Sequence, residues 1–153
     1  MQKIESFKVD HRKINKGMYI SRIDSDIVTY DIRMVKPNTL PFLENAALHT
    51  FEHLFATYVR NSAVSDKIVY VGPMGCRTGF YLLTRGLSHK EAIDLVKDTM
   101  KFISNFDFEI PGATEIECGN YKDHDLYKAR EYAKDMLLVL KDYKVDMLNY
   151  SND

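Results

Sequence analysis

The segment Leu48-His49-Thr50-Phe51-Glu52-His53-Leu54 restricts what this chain can become more than any other stretch. At about 100° per residue, a helix from about Pro41 to Arg60 gathers Ala47, Phe51, Leu54, Phe55 and Tyr58 on one side. His49, Glu52, His53, Ala56 and Arg60 fall on the other. The apolar stripe requires a hydrophobic partner. The polar stripe sets two imidazoles one turn apart, able to reach one metal ion, with a carboxylate beside them. The order H-x-x-E-H is that of an inverted zincin signature, in which the glutamate carries protons.

The flanking segments read as that partner. From Met18 to Val35 the chain is rich in β-branched and aromatic residues and is interrupted by the turn signal Asp24-Ser25-Asp26, so a hairpin is expected. In its second arm Val28, Tyr30, Ile32 and Met34 share one face, while Thr29, Asp31 and Arg33 form an outer row. Asp31 and Arg33 can be solvated neighbours, the usual case, or can look into a pocket. Strands are expected at Lys67 to Val71 and Phe80 to Thr84. Ser88-His89-Lys90-Glu91 is a capping box opening a helix that ends near Asn105, with Ala92, Leu95, Val96, Thr99, Phe102 and Ile103 inward. Pro111-Gly112 breaks regular structure, and Ala113 to Tyr121 reads as a short strand or loop. Asp123 or Asp125 can cap a last helix, whose buried stripe is Leu126, Ala129, Ala133, Met136, Leu137 and Leu140. The tail from Lys144 reads as surface.

This element order describes a two-layer α+β domain, a mainly antiparallel sheet with helices packed on one face, and one domain over 1–153. Such a sheet leaves a face or edge needing cover, for which a homodimer is expected. A net charge of −1 gives no bulk attraction to nucleic acid or to an anionic membrane. Met1 to Asn15 has no signal-peptide apolar core, and no run approaches the roughly 20 apolar residues of a membrane span. The expectation is a soluble, cytoplasmic protein. Its two cysteines, Cys76 and Cys118, are then reduced thiols, available for metal binding or catalysis.

A catalytic metal site uses three protein ligands and one open position. His49 and His53 supply two, and Cys118, Cys76, His89, His124 or an acidic residue can supply the third. Spacing does not choose among them. Cys76 lies among three glycines and beside Arg77; a plain turn with a small apolar residue and an accessible, activated thiol both fit that setting. Taken alone, Ser6 reads as a capping serine and His11 as a surface histidine.

Taken together, Ser6-Phe7-Lys8-Val9-Asp10-His11, Asp31-Ile32-Arg33, His49-Thr50-Phe51-Glu52-His53, the run from Gly72 to Tyr81, and Cys118-Gly119-Asn120 resemble S-ribosylhomocysteine lyase. This family makes the precursor of autoinducer-2, and the likeness runs in order over nearly the whole chain. The resemblance implies His49, His53 and Cys118 as metal ligands, with Fe2+ native and Zn2+ or Co2+ able to replace it. It implies Glu52 and Cys76 as the general acid/base pair, and Ser6, His11 and Arg33 around the substrate. It also implies a homodimer with both active sites at the subunit interface. The chain carries Tyr70 and Gly72 where the family usually has aspartate and serine, and Phe51 where leucine is common.

The implied chemistry accounts for these residue types. The thioether at C5 of the ribose leaves only when β to a carbonyl, so the carbonyl must migrate from C1 to C3 before elimination. Proton transfers at carbon and oxygen need two positioned groups, and a Lewis acid must stabilise the charge that develops. An inverted-zincin peptidase shares H-x-x-E-H but leaves Cys76 without a role. A structural metal site is usually closed by four Cys/His ligands, whereas three ligands beside Glu52 suit an open one.

Overall fold

The computed structural model describes residues 1–151. The alternating segments form a four-stranded antiparallel sheet in the order β1-β2-β4-β3, from β1 (Gly17–Asp24), β2 (Ile27–Arg33), β3 (Ile68–Pro73) and β4 (Gly79–Arg85). Register pairs Met18 with Ile32 and Ile32 with Phe80, and likewise Ile20 with Tyr30 and Tyr30 with Leu82. Because side chains alternate across a strand, these rows make one apolar face. Gly79, opposite Arg33, is needed for the close approach of β4 to β2: a Cβ there would overlap the Ile32 carbonyl oxygen.

That face is closed by α2 (Asn45–Arg60), α3 (His89–Asn105) and α4 (Leu126–Val139); a single turn, α1 (Glu5–Lys8), precedes the sheet. Phe51, Leu54 and Phe55 of α2 join Val96, Met100 and Ile103 of α3 and Ala129, Ala133 and Met136 of α4 in one core with the sheet. Each large side chain so removed from water contributes roughly 1.5–3 kcal/mol. Phe51 fits by packing its ring on Phe80 at 5.0 Å between centroids. The expected α+β architecture is the observed one.

Several local expectations change. α2 begins at Asn45 rather than near Pro41, because the preceding backbone is held elsewhere. The Leu43 amide donates to the Arg77 carbonyl, and the Glu44 amide to the Tyr132 hydroxyl. The Ser88–Glu91 capping box forms, and of the two candidate aspartates Asp125 caps α4. Residues 113–121 form successive turns without a strand.

The outer row of β2 is not solvated. Asp31 is 1% and Arg33 2% exposed. Arg33 donates from Nε and Nη2 to both Asp31 carboxylate oxygens, at 3.0 and 2.6 Å. Both chain ends cover this pair. Ser6, Val9, His11 and Ile14 line a small cavity with it, as does Tyr150. The tail is therefore structural: Leu148 is fully buried, Tyr150 stacks on Tyr19, and the Tyr143 hydroxyl donates to the Met18 carbonyl at 2.6 Å. A mainly polar sequence hid a few anchoring aromatic and aliphatic groups.

Candidate metal centre and the Cys76 cleft

α2 lays its apolar stripe on the sheet and turns His49, Glu52 and His53 toward the segment between α3 and α4. The His49 Nδ1–H donates to the Asp123 carbonyl at 2.8 Å, and the His53 Nδ1–H to the Pro111 carbonyl at 2.9 Å. A carbonyl can only accept, so each ring carries its proton on Nδ1 and presents a bare Nε2. This is how metal-binding imidazoles are oriented. Pro111 reaches His53 because Gly112 follows it: Gly112 has φ +73°, and a Cβ there would stand 3.3 Å from His53 Nδ1. The glycine satisfies both the left-handed backbone and the close approach.

The turn from Thr114 carries Cys118 to the same point. Its Sγ lies 3.4 Å from His49 Nε2 and 4.0 Å from His53 Nε2. His124 completes the cluster, stacked on His49 at 4.0 Å and edge-on to His53 at 4.9 Å. The four ligand atoms of His49, His53, Cys118 and His124 lie within 4.8 Å of one another. His124 Nε2 is buried with no hydrogen-bond partner, and burial, followed by the charges of His49 and His53, holds this imidazole below its ordinary pKa. Two nitrogens locked as acceptors, a thiol and an orphaned buried nitrogen make a donor set that fits a divalent cation of borderline softness. Of the third-ligand candidates, Cys118 and His124 are in this cluster; Cys76 is not. His89 Nδ1 instead meets the Tyr30 hydroxyl at 2.7 Å. Glu52 is half-buried on the same helix face, with no hydrogen-bond or ion-pair partner among the described residues.

The other candidate residues converge separately. β3 and β4 are joined by a tight turn in which the Arg77 amide donates to the Met74 carbonyl and Arg77 takes φ +59°. This lifts Cys76 to an exposed position at the tip. Cys76, Thr78, Arg33, His11, Asn38 and Phe42 line a cleft of about 260 Å³. Ser6, His11 and Arg33 line a smaller, adjoining cavity. His11 is half-buried, not on the open surface, and donates from Nδ1 to the Val9 carbonyl at 2.9 Å, leaving Nε2 free. Ser6 lies within α1, whose N-cap is Ile4, so it is not a capping residue. Neither cavity is lined by His49, Glu52, His53, Cys118 or His124.

A family model described as S-Ribosylhomocysteinase (LuxS) matches residues 4–146. The chain belongs to the S-ribosylhomocysteinase family. Among curated relatives, the S-ribosylhomocysteine lyase of Borrelia garinii subsp. bavariensis is 49% identical, over 98% of this chain and 99% of its own. That of Phocaeicola vulgatus is 47% identical over 98% of each chain, and that of Clostridium acetobutylicum 44% over 98% and 99%.

Tyr70 and Gly72 meet in space. The exposed Tyr70 ring folds back over Gly72, in space that any Cβ at that position would occupy. No sequence signal connected the two. His124 carried one, standing six residues beyond Cys118, but spacing alone did not separate it from His89.

Proposed function

We propose that this chain is a metal-dependent carbon–sulfur lyase that cleaves S-ribosylhomocysteine to homocysteine and 4,5-dihydroxy-2,3-pentanedione. The observation that carries the reading is the convergence of two Nε2 atoms, both held in the ligating tautomer, with the Cys118 thiol. A peptidase would leave the cleft around Cys76 without a task.

His49, His53 and Cys118 would hold the ion, with Fe2+ the proposed native metal and Zn2+ or Co2+ able to replace it; His124 is a fourth donor in the same cluster. When bound, the cation supplies Lewis acidity to the sugar carbonyl and charge stabilisation as it migrates. Cys76, as thiolate, takes the proton from one carbon and returns it to the next, moving the carbonyl from C1 to C2 and then to C3. Glu52 moves protons between the sugar oxygens. With the carbonyl at C3, Glu52 takes the C4 proton, the C5–S bond breaks and homocysteine leaves with the electron pair as its thiolate. The C4–C5 enol left behind gains a proton at C5 and loses its hydroxyl proton to become the dione. Nothing is oxidised or reduced. Ser6, His11 and Arg33 orient the substrate, the last two through the cleft that they share with Cys76.

Within one chain no hydrogen bond or described cavity joins the Cys76 cleft to the metal cluster. This supports a homodimer in which each active site at the interface draws on both protomers. The reading further takes 1–153 as one lyase domain, and the cytoplasm as its compartment, where two free cysteines stay reduced. No helix is long and apolar enough to cross a membrane.

The decisive experiment loads the protein with Fe2+ or Co2+, adds S-ribosylhomocysteine and follows new free thiol with a chromogenic thiol reagent. Release well above a metal-free control is expected. Its absence in protein of verified metal content overturns the proposal.

A further inference from the structure

We infer that Thr78 is a positioning residue for Cys76, its hydroxyl passing the charge of buried Arg33 to the sulfur. The role as a proton carrier that Cys76 plays rests on the function proposed above; the hydrogen-bond chain does not.

Arg33 Nη1 donates to Thr78 Oγ1 at 2.8 Å. Thr78 Oγ1 in turn lies 3.1 Å from Cys76 Sγ. A guanidinium has only protons to give, so the threonine oxygen must accept from Arg33. The hydroxyl proton is then left to point elsewhere, and Cys76 Sγ is its one partner among the described residues. A cationic donor polarises the hydroxyl, strengthening it as a donor and weakening its remaining lone pair as an acceptor. The stable arrangement is therefore Arg33→Thr78→Cys76, with sulfur accepting. That is the form a thiolate requires and a thiol does not.

The surroundings hold this chain in place. Thr78 is 2% exposed, and its carbonyl accepts from both the Met34 and Val35 amides at 2.8 and 2.9 Å. Burial alone would lower the Arg33 pKa, but the Asp31 hydrogen bonds and charge more than offset it, so Arg33 stays cationic. Asp31 also accepts from Tyr150 at 2.6 Å, so part of its charge is engaged away from Arg33. The other charged or titratable groups near Cys76 are His11 across the cleft, Tyr81 on β4 and the adjacent Arg77. Arg77 is turned aside, toward the Leu43 carbonyl and the Phe42 ring. Arg33 thus acts on the sulfur through an intervening hydroxyl.

Two variants test this. Thr78→Val keeps the side-chain volume and both backbone hydrogen bonds but removes the hydroxyl; Thr78→Ser restores it. Each is treated with iodoacetamide at fixed pH without substrate, and modification of Cys76 is timed by peptide mass spectrometry. Thr78→Val should alkylate at least fivefold more slowly than the parent protein, and Thr78→Ser within about twofold of it. On S-ribosylhomocysteine, Thr78→Val should lose kcat with KM nearly unchanged. Parent-like alkylation of Thr78→Val overturns the inference, as does failure of serine to restore the rate. Failure of the parent protein to release thiol would sink the lyase reading and leave the alkylation result standing. Urea midpoints establish that both variants are folded, and Thr78→Ala, if Thr78→Val is unfolded, must slow Cys76 alkylation similarly.

Discussion

Tyr150, one residue from the end of the described chain, donates its hydroxyl to Asp31 in the second strand at 2.6 Å. The carboxylate it caps is almost wholly buried and holds the Arg33 guanidinium through two further hydrogen bonds. Burial first, and then the adjacent Asp31 charge, push the Tyr150 phenol well above its ordinary pKa, so it remains a donor at any physiological pH. Removing it with Tyr150→Phe leaves a buried charge short of one partner. The expected loss is about 1–3 kcal/mol in urea unfolding. Asp31→Asn should cost more, about 3–5 kcal/mol, since Arg33 would then be a buried cation without its counter-charge. If both variants unfold at the parent midpoint, the tail does not brace the strand.

The two cysteines should separate cleanly. Cys118→Ala removes a thiol 3.4 Å from His49 Nε2, and if that thiol is the proposed ligand, purified protein should carry far less than one metal per chain by atomic absorption. Cys76→Ala should keep its metal and lose turnover by at least a hundredfold. Full metal and full activity in both variants would refute the assignment.

Gly112→Ala tests how tightly the loop before the cysteine turn sets His53. The new methyl would lie 3.3 Å from Nδ1, on a residue at φ +73°. The backbone strain costs roughly 1–2 kcal/mol. Displacing the ring from the Pro111 carbonyl should weaken metal binding by about 10–100-fold, the usual effect of losing an outer-shell hydrogen bond. Chelator competition measures the affinity; an unchanged value would show that the carbonyl contact does not orient His53.

Alkaline pH should unfold the chain in a defined window. Burial raises both Tyr30 and Tyr143 from 10.0 to about 12. Above pH 10 the unfolded chain ionises these phenols while the folded one keeps them neutral. Their stabilising effect is therefore complete below about pH 10 and is lost as pH rises to about 12. Each contributes a slope of up to ~1.4 kcal/mol per pH unit. Urea midpoints that stay flat from pH 9 to 11.5 would contradict this.

The core was legible because it follows from local periodicity. Phe51, Leu54 and Phe55 of α2, and Tyr30 and Ile32 of β2, are fully buried as their spacing requires. The pairing of His49 with His53 was legible for the same reason, since one helix face fixes their separation. Between a solvated and a pocket-facing setting for Asp31 and Arg33 the sequence could not decide, because alternation reports which face a residue occupies, not what covers that face; the structure buries both. Ser6 and His11 gained a setting only through resemblance, because α1 is too short for periodicity to mark it.

The sequence by itself determined that a two-faced helix must lie on a sheet with its histidines and glutamate turned outward. Helical geometry and the hydrophobic effect act over a few residues and leave little choice. Only the tertiary structure decided what meets that helix. Cys118 and His124 join His49 and His53, whereas Cys76 joins Thr78, Arg33 and His11 across the sheet. Those meetings depend on where loops close and chain ends settle, and on buried charges finding partners from distant segments. No spacing along the chain encodes them.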